Sequence, residues 1–162
     1  MAKGKHKKGR GEQTPTIENR RARHEYFIEE TLEVGVVLQG SEVKSIRDGA
    51  CTIAEGYVTA RAEPPKLTLH GINIGAYGPA GSGNHPAVRN RALLAHKREI
   101  RKLARQVDQK GVTIVPLKLY FKDGMVKLLI GVARGKQTHD KRKSIADRDA
   151  ARDIQRAMSK RM

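Results

Sequence analysis

The sequence predicts a mainly β protein, a small antiparallel β-barrel of about six strands with one long helix, one or two short helices and disordered basic tails. Two observations predict this class. Between residues 26 and 133, apolar and polar side chains alternate with period two in short stretches that turn residues separate. Only residues 92–109 repeat their apolar side chains with the period of a helix. Short strands with one inserted helix are typical of an OB-fold-like barrel.

The strand boundaries follow from the turn residues. Lys122-Asp123-Gly124 predicts a hairpin between the last two strands. Pro116 has no backbone N–H for a ladder and predicts an edge position or a bulge. Ser41 is a candidate N-cap for a brief helix that ends at Arg47. The predicted strands are 26–30, 34–39, 51–53, 57–62, 66–70, 112–121 and 125–133.

Positive charge is concentrated in three segments. The chain has 162 residues and a net charge of +16. Residues 1–24, 89–110 and 134–162 each carry a net charge of +6, whereas residues 25–88 carry −4. A surplus of this size opposes compaction by self-repulsion, so we expect a polyanionic partner. The predicted parts are a flexible basic N-terminal segment (1–18), a barrel with an inserted basic helix (19–133) and a basic tail (134–162).

The tail is predicted to be disordered in the free protein and helical on its partner. Residues 145–158 are rich in Ala and favour a helix. Ile154 and Met158 give this helix only a thin apolar face, and three arginines at i, i+4 spacing repel one another. Because phosphate would replace this repulsion with attraction, we expect the helix to form on a polyanion.

The residues indicate neither catalysis nor a metal or cofactor site. The histidines lack metal-ligand spacing, and the single cysteine, Cys51, excludes an internal disulfide and a thiolate zinc site. The glycines of 78–83 lack the flanking strand and helix of a phosphate-binding loop. No apolar run approaches the ~20 residues that span a bilayer, and the basic N-terminus lacks the apolar stretch of a secretory signal. We expect a cytoplasmic, non-catalytic protein without cofactors and without a membrane partner.

The most informative motif is the basic run at 19–26 (NRRARHEY). Its three arginines could bind phosphate bidentately, while His24 and Tyr26 offer flat surfaces to bases. Charge favours RNA over DNA or another acidic partner, and a solvated basic surface is the alternative. A second candidate group precedes or enters the basic helix and comprises Arg89, Arg91 and Lys97.

Four motifs in the same order resemble the SsrA-binding protein (small protein B) family of bacterial trans-translation. They are residues 19–28 (NRRARHEYFI), 35–47 (GVVLQGSEVKSIR), 115–121 (VPLKLYF) and 135–142 (GKQTHDKR). The resemblance implies an OB-like barrel that binds the tRNA-like domain of transfer-messenger RNA. It also implies delivery of that RNA, with GTP-bound elongation factor Tu, to stalled ribosomes. The tail would then fold in the empty mRNA channel near the decoding centre, and the protein would act as a monomer, 1:1 with its RNA.

The resemblance and the basic motifs together give two sets of candidate residues. The predicted RNA-binding set is Asn19, Arg20, Arg21, Arg23, His24, Tyr26, Glu33, Lys44, Arg89, Arg91 and Lys97. The predicted ribosome-binding set in the tail is Lys136, His139, Asp140, Lys141, Arg142, Ile154 and Met158. Glu33 is included because a carboxylate can accept hydrogen bonds from base amino groups, and His139 because it could stack on a ribosomal base.

Two other functions are compatible with the charge pattern. A small basic ribosome-associated protein, or a general RNA chaperone, could use the same barrel without preferring a tRNA-like fold. A nuclease or transferase would need a carboxylate or metal cluster, which the sequence does not contain.

Overall fold

The computed structural model describes residues 14–160. Within this range the chain forms nine strands, four α-helices and a 3-10 segment at Gly78–Gly83. The strands are β1 Ile17–Glu18, β2 Tyr26–Val36, β3 Cys51–Thr52, β4 Tyr57–Arg61, β5 Lys66–His70, β6 Asn73–Ile74, β7 Arg91–Leu94, β8 Val112–Lys122 and β9 Met125–Gly135. The helices are α1 Arg20–Glu25, α2 Gly40–Arg47, α3 Lys97–Val107 and α4 Thr138–Ser159.

Six strands close into an antiparallel barrel. The strand order is β1-β8-β4-β5-β7-β2-β9, and β9 also pairs with β8, which closes the ring and leaves β1 as an addition on β8. The short strands β3 and β6 form a separate ladder. The predicted mainly β, OB-fold-like barrel is therefore confirmed.

The barrel interior is aliphatic. Leu69, Ile114 and Leu128 are fully buried, and Ile46 of α2 and Ile100 of α3 belong to the same core cluster. A second, smaller cluster lies under α1, where Ala22 packs with Val115, Leu117 and Ala133. The second cluster holds α1 on the barrel wall, whereas α2 and α3 contribute to the main core.

The strand β2 is continuous, so the prediction of two strands at 26–30 and 34–39 is wrong. Its pairing with β9 runs from Tyr26 opposite Gly135 to Gly35 opposite Lys127, with a bulge between Ile28 and Glu30. The in–out alternation runs unbroken through this bulge, but Glu30 places a carboxylate at a half-buried position where the sequence pattern expects an apolar residue. The sequence pattern therefore breaks where the strand does not.

The hairpin and the bulge predicted in the last two strands are both confirmed. Asp123 and Gly124 connect β8 to β9 with positive φ angles of 52° and 76°, as a two-residue hairpin turn requires. The β8–β9 register shifts between Pro116 and Lys118. Proline thus lies where the ladder is interrupted.

The long helix is shorter than predicted, because residues 92–94 belong to β7. Leu93 pairs with both Leu67 of β5 and Val36 of β2, and β7 alternates between buried and exposed residues. The helix α3 begins at Lys97, where the Glu99 carboxylate accepts from the His96 backbone N–H at 3.1 Å. Leu93 fits both periods, which is why the sequence pattern placed it in the helix.

The predicted N-cap of α2 is also corrected. Gln39 precedes the helix, and its backbone N–H donates to the Glu42 carboxylate at 2.8 Å. The Ser41 hydroxyl is instead hydrogen-bonded to His85 Nδ1 at 2.8 Å. The helix ends at Arg47, as predicted.

Both predicted tail boundaries move outward from the barrel. Ile17 and Glu18 pair with Leu119 and Lys118 of β8, so the segment predicted as flexible ends in a strand. Residues 1–13 of that segment lie outside the described residues. At the other end, β9 continues through Gly135, two residues beyond the predicted limit of 133.

The tail contains a helix that begins earlier than residue 145, at Thr138, and none of its residues is buried. The structure gives a helix where the sequence analysis expects disorder in the free protein. Disorder of the tail in the free protein stays a prediction. Its physical basis is that a helix without a buried face is only marginally stable in water. No helix in the described range 14–160 combines the length and apolarity needed to cross a membrane.

Candidate nucleic-acid interface

Asn19 anchors α1 to the barrel wall. Its side-chain Oδ1 accepts from the Ala22 backbone N–H at 3.2 Å, and its Nδ2 donates to the Pro116 carbonyl at 2.8 Å. The Asn19 backbone N–H donates to the Leu117 carbonyl at 2.8 Å. The side chain is buried, so it does not face solvent, and its predicted contact with RNA stays a prediction. Asn19 caps α1 at the β8 bulge and thereby positions its neighbours.

The arginines of α1 are presented to solvent. Only Ala22 of this helix is buried, which turns Arg20, Arg21 and Arg23 outward. Arg20 and Arg23 form no ion pair within residues 14–160, whereas Arg21 pairs with Glu25 at 3.1 Å and with Glu55. His24 and Tyr26 are half-buried beside them. We call these five residues the α1 surface; it brings together cations and flat rings, as the sequence predicts.

Arg91 is not at the surface, so its predicted contact with RNA would require the side chain to leave its internal partners. Its side chain has no exposed area, and its Nη2 lies 2.8 Å from the Glu42 carboxylate. Its guanidinium also donates to the backbone carbonyls of Arg89 and Ile72. Every side of this arginine is therefore occupied by the protein, and no phosphate can reach it.

Arg89 shares the same carboxylate. Its Nε and Nη2 donate to the two oxygens of Glu42 at 2.8 Å and 2.6 Å, and its side chain is 27% exposed. Burial raises the pKa of Glu42, but hydrogen bonds from Arg89, the Gln39 backbone and Arg91 outweigh that effect and lower it to about 2. Arg89 thus forms an internal ion pair, and only the exposed part of its side chain remains for a contact with RNA.

Glu33 and Lys44 are exposed, and their polar and cation–π contacts join them to residues outside α1. The Glu33 carboxylate accepts from the Tyr120 hydroxyl and from Lys122 Nζ, and these hydrogen bonds hold its pKa below the usual range. Two of its acceptor sites are left for a base amino group. Lys44 Nζ lies 5.3 Å from the centroid of the Tyr77 ring.

The helix α3 presents further cations. Lys97 is exposed at its first residue. Arg98 and Arg105 are exposed and form no ion pair in the described part of the chain, while Arg101 and Lys102 pair with Glu63 and Glu30. Arg98 and Arg105 are therefore as exposed to a phosphate group as Lys97 is.

Lys136 joins the root of the tail to the α1 surface. Its Nζ donates to the Arg23 carbonyl at 3.0 Å and lies 4.9 Å from the Phe27 ring centroid. Its backbone N–H donates to the Glu25 carbonyl at 2.8 Å. The start of the tail is therefore fixed to the same part of the barrel as α1.

The remaining tail residues project from α4. Asp140 accepts from the Gln137 backbone N–H at 3.3 Å and so caps the helix, and the exposed His139 lies 3.1 Å from it. Ile154 and Met158 are 61% and 68% exposed. Arg142 is exposed and Lys141 half-buried, and neither forms an ion pair within residues 14–160.

No group of three or more potential metal ligands occurs in the described residues. Burial raises the pKa of the Cys51 thiol to about 11. This cysteine is therefore protonated at neutral pH and is a poor nucleophile.

Sequence reasoning missed Tyr57. It is 49% exposed and stacks on His70, with ring centroids 4.9 Å apart and 10° between the ring planes. The signal was available, because Tyr57 lies at an outward position of an alternating strand in a chain with few aromatic residues.

The chain is thus a small closed antiparallel barrel with two exposed basic features: arginines on α1 that form no ion pair within the described residues, and the helix α4. A family model described as "SmpB protein" matches residues 16–160, and the chain belongs to this family.

Relatives and a solved structure agree with that assignment. The chain is 43% identical to the SsrA-binding protein of Listeria welshimeri over 152 residues, which are 94% of this chain and 97% of the relative. It is 46% identical to the SsrA-binding protein of Halalkalibacterium halodurans over 144 residues, 89% and 92% of the two chains. A chain of the structure described as "tmRNA-SmpB: a journey to the center of the bacterial ribosome" is 43% identical with a TM-score of 0.64, covering 81% of this chain and 94% of that one.

Proposed function

We propose that this protein is a non-catalytic adaptor that binds the tRNA-like domain of transfer-messenger RNA and delivers it to stalled ribosomes for trans-translation. Membership of the SmpB family over residues 16–160 carries the proposal. The names of the relatives and the transfer-messenger RNA and ribosome of the similar solved structure support the choice of partners. Elongation factor Tu with GTP would accompany a 1:1 complex of the protein and its RNA.

The α1 surface is the best supported RNA contact. Arg20 and Arg23 are exposed, form no ion pair with any residue from 14 to 160, and are carried by a helix that Asn19 fixes to the barrel. Because α1 is anchored, the backbone positions of these arginines are fixed, and a spacing of cations set in this way can match the phosphates of a structured RNA. This arrangement favours a folded RNA over a flexible strand.

The tail helix would form the second contact, in the mRNA channel near the decoding centre. α4 has no buried residue, so leaving the barrel surface would expose no core. Its Arg142 is exposed and forms no ion pair within residues 14–160, whereas Arg152 and Arg156 pair with carboxylates of the same helix. The apolar pair Ile154 and Met158 lies one turn apart on one face. Lys136 would set the direction in which this helix leaves the α1 surface.

The test of the function is purification of the full chain from bacterial cells and sequencing of the RNA that accompanies it. We expect transfer-messenger RNA to be enriched far above its share of total RNA. A mixture that follows total RNA would contradict the proposal and favour a general RNA chaperone.

Truncation after Gln137 tests the two-contact arrangement. It removes α4 but keeps Lys136 and its bonds to Arg23 and Glu25. We expect RNA affinity to be nearly unchanged and tagging on stalled ribosomes to be lost. Truncation after Gly135 is the matched comparison, since it also removes Lys136. A large loss of RNA affinity on truncation after Gln137 would contradict the proposal that the barrel binds RNA and the tail binds the ribosome.

A further inference from the structure

A cleft of about 170 Å³ lies between α1 and the turn that leads into β4. Tyr26, Tyr57, Arg21, Glu55 and Gly56 are among its lining residues. Two aromatic rings and one guanidinium thus share a concave surface at the edge of the α1 surface. A cleft of this size has room for a flat group. The exposed arginines Arg20 and Arg23 do not enclose such a space.

The Tyr57 ring is held in place from one side. His70 stacks on one face at 4.9 Å, while the side chain remains 49% exposed. His70 is itself fixed, because its Nε2 is hydrogen-bonded to Thr59 Oγ1 at 2.8 Å and its Nδ1 to Asn90 Oδ1 at 2.9 Å. The tyrosine therefore loses little conformational freedom when a second ring stacks on it.

The floor of the cleft is rigid. A Cβ atom on Gly56 would lie 2.7 Å from Ile72 Cγ2 and 2.9 Å from Pro116 Cγ, so the backbone is packed directly on the barrel. The same bulge residue, Pro116, receives the Asn19 hydrogen bond that anchors α1. Gly56 at the floor of the cleft and α1 at its side are thus both held against Pro116 of β8.

The charges of the cleft favour a base over a phosphate. Arg21 is its cation, and it is already paired with Glu25 and Glu55, both of which also line the cleft. A phosphate would meet two carboxylates for one guanidinium. A nucleobase carries no net charge, stacks on an aromatic ring, and can donate an exocyclic amino group to a carboxylate.

We propose that this cleft binds one unstacked, amino-bearing nucleobase of RNA, with Tyr57 as the stacking platform and Glu55 as the acceptor of the base amino group. The inference rests on the proposed function, because it assigns a base subsite beside the phosphate contacts of α1. It commits to a nucleic-acid ligand, because the half-exposed Tyr57 ring lines the cleft and can stack on a base.

The test measures binding of the full chain to short oligocytidylate and oligouridylate, which differ chiefly in an amino or oxo group at one ring position. Wild type should prefer oligocytidylate. Tyr57→Ala should weaken its binding about tenfold, as loss of one base–aromatic stack predicts. Tyr57→Phe should keep the affinity, since the ring and not the hydroxyl stacks. Glu55→Ala should bind the two oligomers alike.

The control is Phe27→Ala, because Phe27 is also 49% exposed but is not a lining residue of the cleft. It should leave oligocytidylate binding unchanged. If Tyr57→Ala proved unfolded, Tyr57→Leu would keep an apolar side chain without the ring and should show the same loss. Equal binding by wild type and either non-aromatic variant would overturn the inference.

Binding of a tRNA-like RNA separates this inference from the proposed function. If wild type binds that RNA but the Tyr57 variants bind the oligomers as wild type does, only the cleft assignment fails. If wild type shows no preference for the tRNA-like RNA over unstructured RNA, the proposed function fails, whatever the result with the Tyr57 variants.

Discussion

Two regions of this molecule contain closely spaced arginines but use the charges of these arginines differently. On α1, the buried residues are Asn19 and Ala22, and Arg20 and Arg23 remain exposed and unpaired in the described structure. Between α2 and β7, the arginines themselves are committed: Arg91 is fully buried on the Glu42 carboxylate. One region holds its helix with neutral groups and leaves cations for a partner, and the other uses cations to hold the protein together.

The difference teaches that a buried carboxylate decides the role of an arginine. Glu42 has no exposed side-chain area and accepts from both arginines of the α2–β7 region. A buried charge must be paired, so these arginines cannot be released to RNA without exposing or orphaning Glu42. Two carboxylates also lie at α1, Glu25 within it and Glu55 beside it, but both are partly exposed, and Arg21 is their only ion-pair partner among residues 14–160.

The largest effect expected is on the buried pair. Arg91→Ala removes one partner of Glu42 and should lower the free energy of unfolding by about 3–5 kcal/mol. Arg20→Ala is the matched control and should change it by no more than about 0.5 kcal/mol. Urea unfolding measures both values. A stable Arg91→Ala variant with weakened RNA binding would show that Arg91 contacts RNA after all.

Acid should weaken the α2–β7 region next. The pKa of Glu42 is about 2 in the folded protein, below the ordinary value of 4.5. The folded state therefore binds fewer protons, and the stability that Glu42 contributes is complete above pH 4.5 and is lost as the pH falls toward 2. The free energy of unfolding of wild type should fall more steeply across this window than that of Glu42→Gln. Parallel curves from urea titrations would contradict this.

A smaller effect is expected at the anchor of α1. Asn19→Ala removes the cap and the bond to Pro116, and should cost about 1–2 kcal/mol of stability. RNA affinity should also fall, although the side chain does not reach the surface, because the arginines of α1 lose their fixed positions. Thermal unfolding and RNA binding measured on one preparation test this. Unchanged stability with reduced affinity would instead indicate direct contact.

The smallest change in stability is expected for the exposed arginines. The double variant Arg20→Ala/Arg23→Ala should unfold as wild type does within about 0.5 kcal/mol. Its RNA affinity should fall, and the slope of log K against log salt should decrease by about one for each phosphate contact removed. Binding measured over a range of salt concentrations gives the slope, and an unchanged slope would place these arginines away from phosphate.

The sequence predicts the barrel well because the barrel depends on local patterns. Alternation, the Asp123-Gly124 turn and the proline in β8 each encode a feature that the structure contains. The failures lie where one residue satisfies two patterns or where a polar residue occupies an inward position. Leu93 fits both a helix and a strand, and the half-buried carboxylate of Glu30 hides the continuity of β2.

The candidate site was less predictable because burial is a tertiary property. Nothing in the spacing of Arg89 and Arg91 reveals that Glu42, 49 residues from Arg91, is buried against them. Likewise, Asn19 in a basic run resembles a polar RNA contact until the carbonyl of Pro116 is placed beside it. The exposed members of the α1 surface were found, since charge and aromatic character are properties of the residues themselves.

The central claim is that fixed, exposed arginines on α1 bind a structured RNA. The most direct measurement is a competition, at physiological salt, between a tRNA-like RNA and an unstructured RNA of the same length for the wild-type protein. The account predicts that the tRNA-like RNA displaces the unstructured one at much lower concentration. Equal displacement by the two RNAs would contradict it.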